Sequence, residues 1–287
     1  MRKLRPGPRW GVCFGPLAAL LISALVAGCQ SPRQMLQQLA DAHGRQLQIL
    51  PGQPFALAAL LPGNVRHADR LRVYLEGDGH AWATATQPSL DPSPRKLLVP
   101  RLAIEDPAPN IYLARPCQFV TSPACATALW TDRRFSQEVV TSLSTALDLL
   151  KQRYRNQSFE LIGYSGGGAL ALLLAAQRDD VAQIQTLAGN LSPRVWARVQ
   201  NLSPLAGSLD PLDYRLRLTG LPQRHFSGSL DKVVPTALTQ EYYRRSGNDA
   251  CNRVIVVEGV SHEQGWEKVW SRWRESGLDN AACIPSG

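Results

Sequence analysis

No Cys-x-x-Cys and no His-x-x-x-His occurs in the 287 residues, which removes the usual spacings of a zinc site, and no metal is expected. Charged residues make up only 19% against 44% hydrophobic, too little charge for a disordered chain or a coiled coil. Internal repeats and low-complexity tracts are also missing, so a solenoid or a linker-rich array is excluded. Acidic residues are absent before residue 29, whereas Arg2, Lys3, Arg5 and Arg9 all lie there. Half of the formal net charge of +8 therefore belongs to that short segment, and a chain starting at residue 29 would carry 27 basic against 23 acidic residues. The remaining basic pairs, such as Arg153 with Arg155 and Arg244 with Arg245, fall at predicted helix ends and do not alternate with aromatics. No nucleic-acid partner is expected.

What is present at the N-terminus is a basic stretch, an apolar stretch over residues 11–28 and a small-residue stop at Cys29, the pattern of an export signal. Val26-Ala27-Gly28-Cys29 resembles the lipobox of bacterial lipoproteins, in which the cysteine is diacylated and becomes the first residue. The resemblance implies lipidation at Cys29 and a place in the bacterial cell envelope, and Gln30 after the cysteine favours the outer over the inner membrane. An uncleaved membrane anchor is the alternative, for which residues 11–28 are barely long enough and Pro16 is a poor helix residue. Setting aside Cys13 and Cys29 leaves Cys117, Cys125, Cys251 and Cys283, an even number in an oxidising compartment. Of the three pairings, 117 with 125 and 251 with 283 is favoured because each closes a local loop.

The mature chain reads as residues 29–45, a tether and a helix over 33–43 ending at Gly44, followed by one domain over 46–287. Strand-like runs are predicted at 47–50, 55–61, 71–75, 111–114, 159–163, 184–188, 224–227 and 254–257. Helical patterns separate the later ones, most clearly over 135–154 with Asp132 as a candidate cap. Strands alternating with helices predict an α/β fold with a mostly parallel sheet, antiparallel at its beginning, where no helix intervenes. Prolines 193, 204, 211 and 222 leave room over 189–223 for only one or two short helices, hence at most a small cap.

Ser165 sits in Gly163-Tyr164-Ser165-Gly166-Gly167, behind a strand run and ahead of the apolar stretch Ala169 to Leu174. That is the strand, sharp turn and helix that hold a serine hydroxyl clear of a sheet edge, and the glycines relieve the collisions such a turn creates. A serine needs a histidine base oriented by a carboxylate. Asp231 follows the penultimate strand run and His262 the last, while Asp210 and Asp213 precede the penultimate run and rank below Asp231. In these three motifs and their order the chain resembles the α/β-hydrolase superfamily over residues 46–275. The resemblance implies an α/β-hydrolase fold, helices on both sheet faces, no cofactor and a serine hydrolase acting on small-molecule or lipid esters. Thioester and peptide bonds use the same apparatus.

The resemblance also implies an oxyanion hole built from the Gly166 amide and an amide behind the early central strand, here Asp78 with Gly79 next. Glu76 stands where the family often has histidine, and Asp78 would put a carboxylate beside a site that must stabilise an anion. Those two departures are what a non-catalytic, membrane-tethered binding protein of the same fold would rest on. His80 and Trp82 follow closely enough to line a pocket. Trp266, Trp270 and Trp273 recur on one helix face and are read as core, and His43, His67 and His225 have no partner pattern. The sequence assigns no oligomeric state.

Overall fold

The computed structural model describes residues 30–247 and 251–278, with residues 3, 7 and 283 singly. Cys29 and the apolar stretch before it lie outside the described residues. Residues Pro32–Gly287 form one compact unit. Among the described residues there are eight strands, β1 (Arg45–Leu50), β2 (Leu57–Pro62), β3 (Arg70–Leu75), β4 (Asn110–Leu113), β5 (Ser158–Tyr164), β6 (Val181–Leu187), β7 (Gln223–Gly228) and β8 (Asn252–Val257), one for each predicted run. They form a single sheet in the order β1-β2-β4-β3-β5-β6-β7-β8. The β1–β2 and β2–β4 pairs are antiparallel, and every other pair is parallel. The short helix-free connections 51–56 and 63–69, each of which reverses the chain, account for the antiparallel start, and helical crossovers for the rest.

The helices are α1 (Pro32–Ala42), α2 (Leu98–Glu105), α3 (Gln137–Tyr154), α4 (Gly166–Gln177), α5 (Pro193–Val199), α6 (Arg215–Leu218), α7 (Thr236–Ser246) and α8 (Trp266–Trp273). Helix α1 ends before Gly44, whose φ of +63° lets the chain turn into β1. Only α5 and α6, with a 3₁₀ turn at Pro211–Tyr214, occupy the proline-rich stretch before β7. Helix α4 is buried nearly throughout, Leu170 to Leu174 being wholly inaccessible, as expected of a helix apolar on every side.

One sequence expectation needs correction. Asp132 does not cap α3: it lies in the preceding turn, where its carboxylate accepts from the Thr131 hydroxyl, and Ser136 occupies the cap position. The sequence pattern does not predict α2, because Pro100 falls inside it. Pro100 is the third helical residue, where an amide has no intrahelical acceptor, so its missing N–H costs no bond.

One face of the sheet carries a buried polar chain. Arg224 donates to Gln185 (2.8 Å), Gln185 to Glu160 (2.7 Å), and Arg72 to Glu160 (2.8 Å) and Asp106 (3.0 Å). Tyr74 donates to Asp106 (2.6 Å) and Trp270 to Tyr74 (2.7 Å). Two guanidinium groups meet two carboxylates, so the burial leaves no net charge. The chain ends on α8, fixing that helix against the sheet with Trp266 and Trp270 buried beneath it. Register then sets the functional edge: Leu75 pairs with Gly163, and Gly228 with Val257, so β3, β5, β7 and β8 end together. The loops that follow carry Glu76 to His80, Ser165, Asp231 and His262, in the crevice beyond the carboxyl ends of the strands.

Candidate active site

Ser165 stands between β5 and α4 with φ of +51°, a left-handed backbone that a non-glycine residue adopts only when its surroundings impose it. The imposition is visible: the Ser165 amide donates to the Leu187 carbonyl, and its own carbonyl accepts from the Gly168 and Asn190 amides. A methyl group at Gly163 would lie 2.4 Å from the Gly167 carbonyl oxygen, and one at Gly167 equally close to that of Leu75. Only glycines let strand, turn and helix approach this closely.

His262 Nε2 lies 3.0 Å from Ser165 Oγ, and His262 Nδ1 lies 2.8 Å from Asp231 Oδ2. The other Asp231 oxygen accepts the amides of Val233 and Val234, both at 2.8 Å. The Asp231 side chain is wholly inaccessible, so its charge is held by these amides and the imidazole rather than by water. The His262 carbonyl accepts from Trp266 Nε1 (2.8 Å) and from the Tyr164 hydroxyl (2.9 Å), and the Tyr164 ring packs on the imidazole with centroids 5.5 Å apart. Asp210 is elsewhere: it accepts from the Ser192 hydroxyl and the Arg194 and Leu212 amides, securing α5 and the turn after it. Asp213 pairs with Arg194. His225 is fully buried against Thr186 and Gln223, and burial pushes its imidazole down to about 3, so it stays neutral.

Ser165, His262, Asp78, Gly79 and His80 line one cavity of about 360 Å³. The amides of Gly166, Asp78 and Gly79 donate to no acceptor among the described residues. The Asp78 carboxylate is bound on both oxygens, one to Arg115 Nη1 and the other to Arg134 Nη1 at 2.7 Å. Both arginine side chains are only 5% exposed. Burial alone would raise the Asp78 carboxyl, but Arg134 and Arg115 outweigh it and hold it below the ordinary carboxylate range. The arginines are fixed in turn, Arg115 by the Arg134 carbonyl and Arg134 by the Thr131 carbonyl. Gln118 accepts the Arg115 amide and donates to the Gly77 carbonyl, and its neighbour Cys117 is bonded to Cys125. Cys251 is bonded to Cys283. A clamp from residues 115–134 thus grips the loop after β3.

Glu76 also lines the cavity, and its carboxylate is held within the fold. Its oxygens accept from the Gly77 amide (2.8 Å) and the Tyr112 hydroxyl (2.9 Å), and it is almost fully buried. Burial pushes its carboxyl up from 4.5 to about 7, against those two bonds. A raised folded value makes the stability contribution complete below the unfolded value and lost as pH rises through about 7. Glu76→Gln keeps the shape and lacks that loss. Its stability relative to wild type is expected to grow between about pH 5 and about pH 8, by up to about 3 kcal/mol. Melting curves at both ends check this, and a constant difference would contradict it.

Motif and order single out Ser165, Asp231 and His262; Arg115, Arg134, Gln118, Tyr164 and Trp266 carry no local signal that marks them as their supports. Among the described residues, no three His, Cys, Asp or Glu side chains are grouped to hold a metal.

No family model and no curated protein sequence matches the chain. Solved structures do. An esterase of Pyrococcus furiosus superposes with TM-score 0.59 at 13% identity, over 87% of this chain and 93% of that one. An alpha-beta serine hydrolase homologue from Coxiella burnetii gives 0.53 at 14% identity, over 79% and 96%. An acylaminoacyl peptidase of Pyrococcus horikoshii gives 0.55 at 10% identity, over 84% of this chain but 44% of that one. Eight mostly parallel strands in this order, helices packed around them and these likenesses make the fold of the chain the α/β-hydrolase fold.

Proposed function

We propose that the chain is an exported, lipid-anchored serine hydrolase that cleaves carboxylic esters through an acyl-enzyme on Ser165. The observation that carries the reading is the hydrogen-bond chain from Ser165 Oγ through His262 to Asp231, with the unspent amides of Asp78 and Gly79 in the same cavity and that of Gly166 next to Ser165. His262 Nε2 takes the hydroxyl proton as Ser165 Oγ attacks the carbonyl carbon, and Asp231 keeps Nδ1–H in place and stabilises the imidazolium. The Gly166 amide and that of Asp78 or Gly79 receive the oxyanion. His262 then gives its proton to the leaving alcohol, and water activated by the same nitrogen attacks the acyl carbon, releases the acid and restores Ser165.

Support for catalysis over a non-catalytic binding protein comes from the clamp on Asp78 and the bonds of Glu76, which give both carboxylates partners within the fold. Hydrolysis of p-nitrophenyl acetate is expected to begin with a burst matched to the amount of enzyme, and Ser165→Ala is expected to abolish both burst and turnover. Turnover surviving in that variant would overturn the reading. Lipid anchoring rests on the basic, apolar and small-residue succession ending at Cys29, in the envelope of a bacterium and its outer rather than inner membrane. Incorporation of labelled fatty acid is expected in the wild type and absent in Cys29→Ala; incorporation that persists would refute it.

A further inference from the structure

A second cleft, of about 680 Å³, adjoins the site cavity, sharing Asp78, Gly79 and His80 with it. Its lining comes from three segments far apart in sequence: Ala81, Trp82, Ala85 and Pro88 in the first and Trp196, Leu202, Pro204 and Leu205 in the last are mainly apolar, and Thr131, Asp132 and Arg134 add a polar strip. Trp82 is 41% exposed and Leu202 47%, a cost to solvation that an apolar ligand would remove. Neither wall is improvised: Trp196 Nε1 donates to the Val233 carbonyl at 2.8 Å, which joins α5 to the Asp231 loop, and Trp82 forms a bridge with Pro88.

The two spaces differ in chemistry and in which catalytic group they touch. The apolar cleft includes the Asp78–Gly79 loop but neither Ser165 nor His262, whereas the site cavity holds both, together with Arg95, Lys96 and Glu263 at its polar mouth. Lys96 and Glu263 are ion-paired there. A leaving oxygen must sit against His262 Nε2 to receive its proton, which puts the alcohol half of an ester on the polar side. With the carbonyl oxygen on the Asp78 or Gly79 amide, the acyl half is left to run past that loop.

Resting on the serine-hydrolase reading, we infer that the substrates are esters of an extended apolar acyl chain with a polar alcohol, the chain lying between Trp82 and Trp196 and the alcohol at the Arg95–Lys96–Glu263 mouth. Each methylene buried in the transition state raises kcat/KM about threefold to fourfold.

The test is a series of p-nitrophenyl esters from acetate to octanoate on the whole folded protein, with wild type, Ala85→Trp and Leu202→Asp. Ala85 and Leu202 both have solvent access, so neither substitution disturbs the core. Wild type is expected to prefer octanoate to acetate by about 100-fold or more in kcat/KM. Ala85→Trp, by filling the cleft, and Leu202→Asp, by charging it, are expected to lower octanoate turnover at least about tenfold while acetate turnover stays within about twofold. Ser165-dependent acetate hydrolysis with no gain for octanoate, or octanoate turnover indifferent to both variants, would overturn the acyl assignment and leave the serine hydrolase standing. Failure of every ester together with failure of fluorophosphonate labelling would overturn the hydrolase reading and this inference with it.

Discussion

Replacing His262 by alanine is expected to lower kcat for a carboxylic ester about 10⁵- to 10⁶-fold while leaving KM nearly unchanged. The size follows from what the imidazole is asked to do. In the proposed reaction it accepts the Ser165 proton across 3.0 Å, carries it as a cation against the Asp231 carboxylate at 2.8 Å, and returns it to the leaving oxygen. The hydrogen bonds already stand in the resting site, but the proton transfer and the imidazolium charge they serve arise only on the way to the transition state, so the loss falls on kcat. Oxyanion donors and binding remain in the variant and supply the residual rate. The melting temperature is expected to fall moderately, because the buried Asp231 carboxylate loses one partner but keeps the Val233 and Val234 amides, and the backbone carbonyl at 262 stays bound to Trp266 and Tyr164. Steady-state kinetics with circular dichroism as the folding control decides it. A variant retaining more than about a hundredth of wild-type kcat would contradict the role given to His262.

Asp78→Ala is expected to produce the largest loss of stability among single substitutions at the site, about 3 to 5 kcal/mol, together with about a hundredfold fall in kcat. Arg115 and Arg134 are nearly inaccessible, and Asp78 is the carboxylate between them. Without it, two like charges face each other in a medium that screens them poorly. The same carboxylate anchors the loop whose amides are to receive the oxyanion, so the kinetic effect has its own origin. Asp78→Asn separates the two: it keeps a hydrogen-bonding side chain of the same shape, so loop position and kcat are expected to recover more than stability does. Chemical denaturation reads the first quantity and kcat the second. Wild-type values of both in Asp78→Ala would show that the clamp holds nothing.

The three central residues were legible because each lies in a short segment whose local pattern is tied to its task. Gly163 to Gly167 must be glycine-rich to permit the turn at Ser165, and Asp231 and His262 each follow a recognisable strand. The strands were legible for the same reason, each being an apolar run bounded by turn residues. The clamp was not. Asp78 meets Arg115 and Arg134 across 37 and 56 residues, and in sequence those arginines look like any surface cation. Asp78 alone therefore reads as an obstacle to catalysis, and only its partners make it a support. The buried chain from Arg224 to Trp270 was hidden likewise, since polar residues inside a strand run look like its solvent-facing alternation until a helix covers that face. Helix α2 was masked by Pro100, whose position within the first turn matters more than its presence.

The central claim is that Ser165 is the nucleophile of an assembled catalytic site, and a fluorophosphonate probe tests it without knowledge of the substrate. The probe phosphonylates a serine oxygen only when a base removes its proton and donors stabilise the developing charge. Wild-type protein is expected to gain one adduct, located by mass spectrometry on the peptide containing Ser165, with Ser165→Ala unlabelled and His262→Ala labelled far more slowly. Folded wild-type protein that stays unlabelled, or an adduct on another serine that survives Ser165→Ala, would contradict the account.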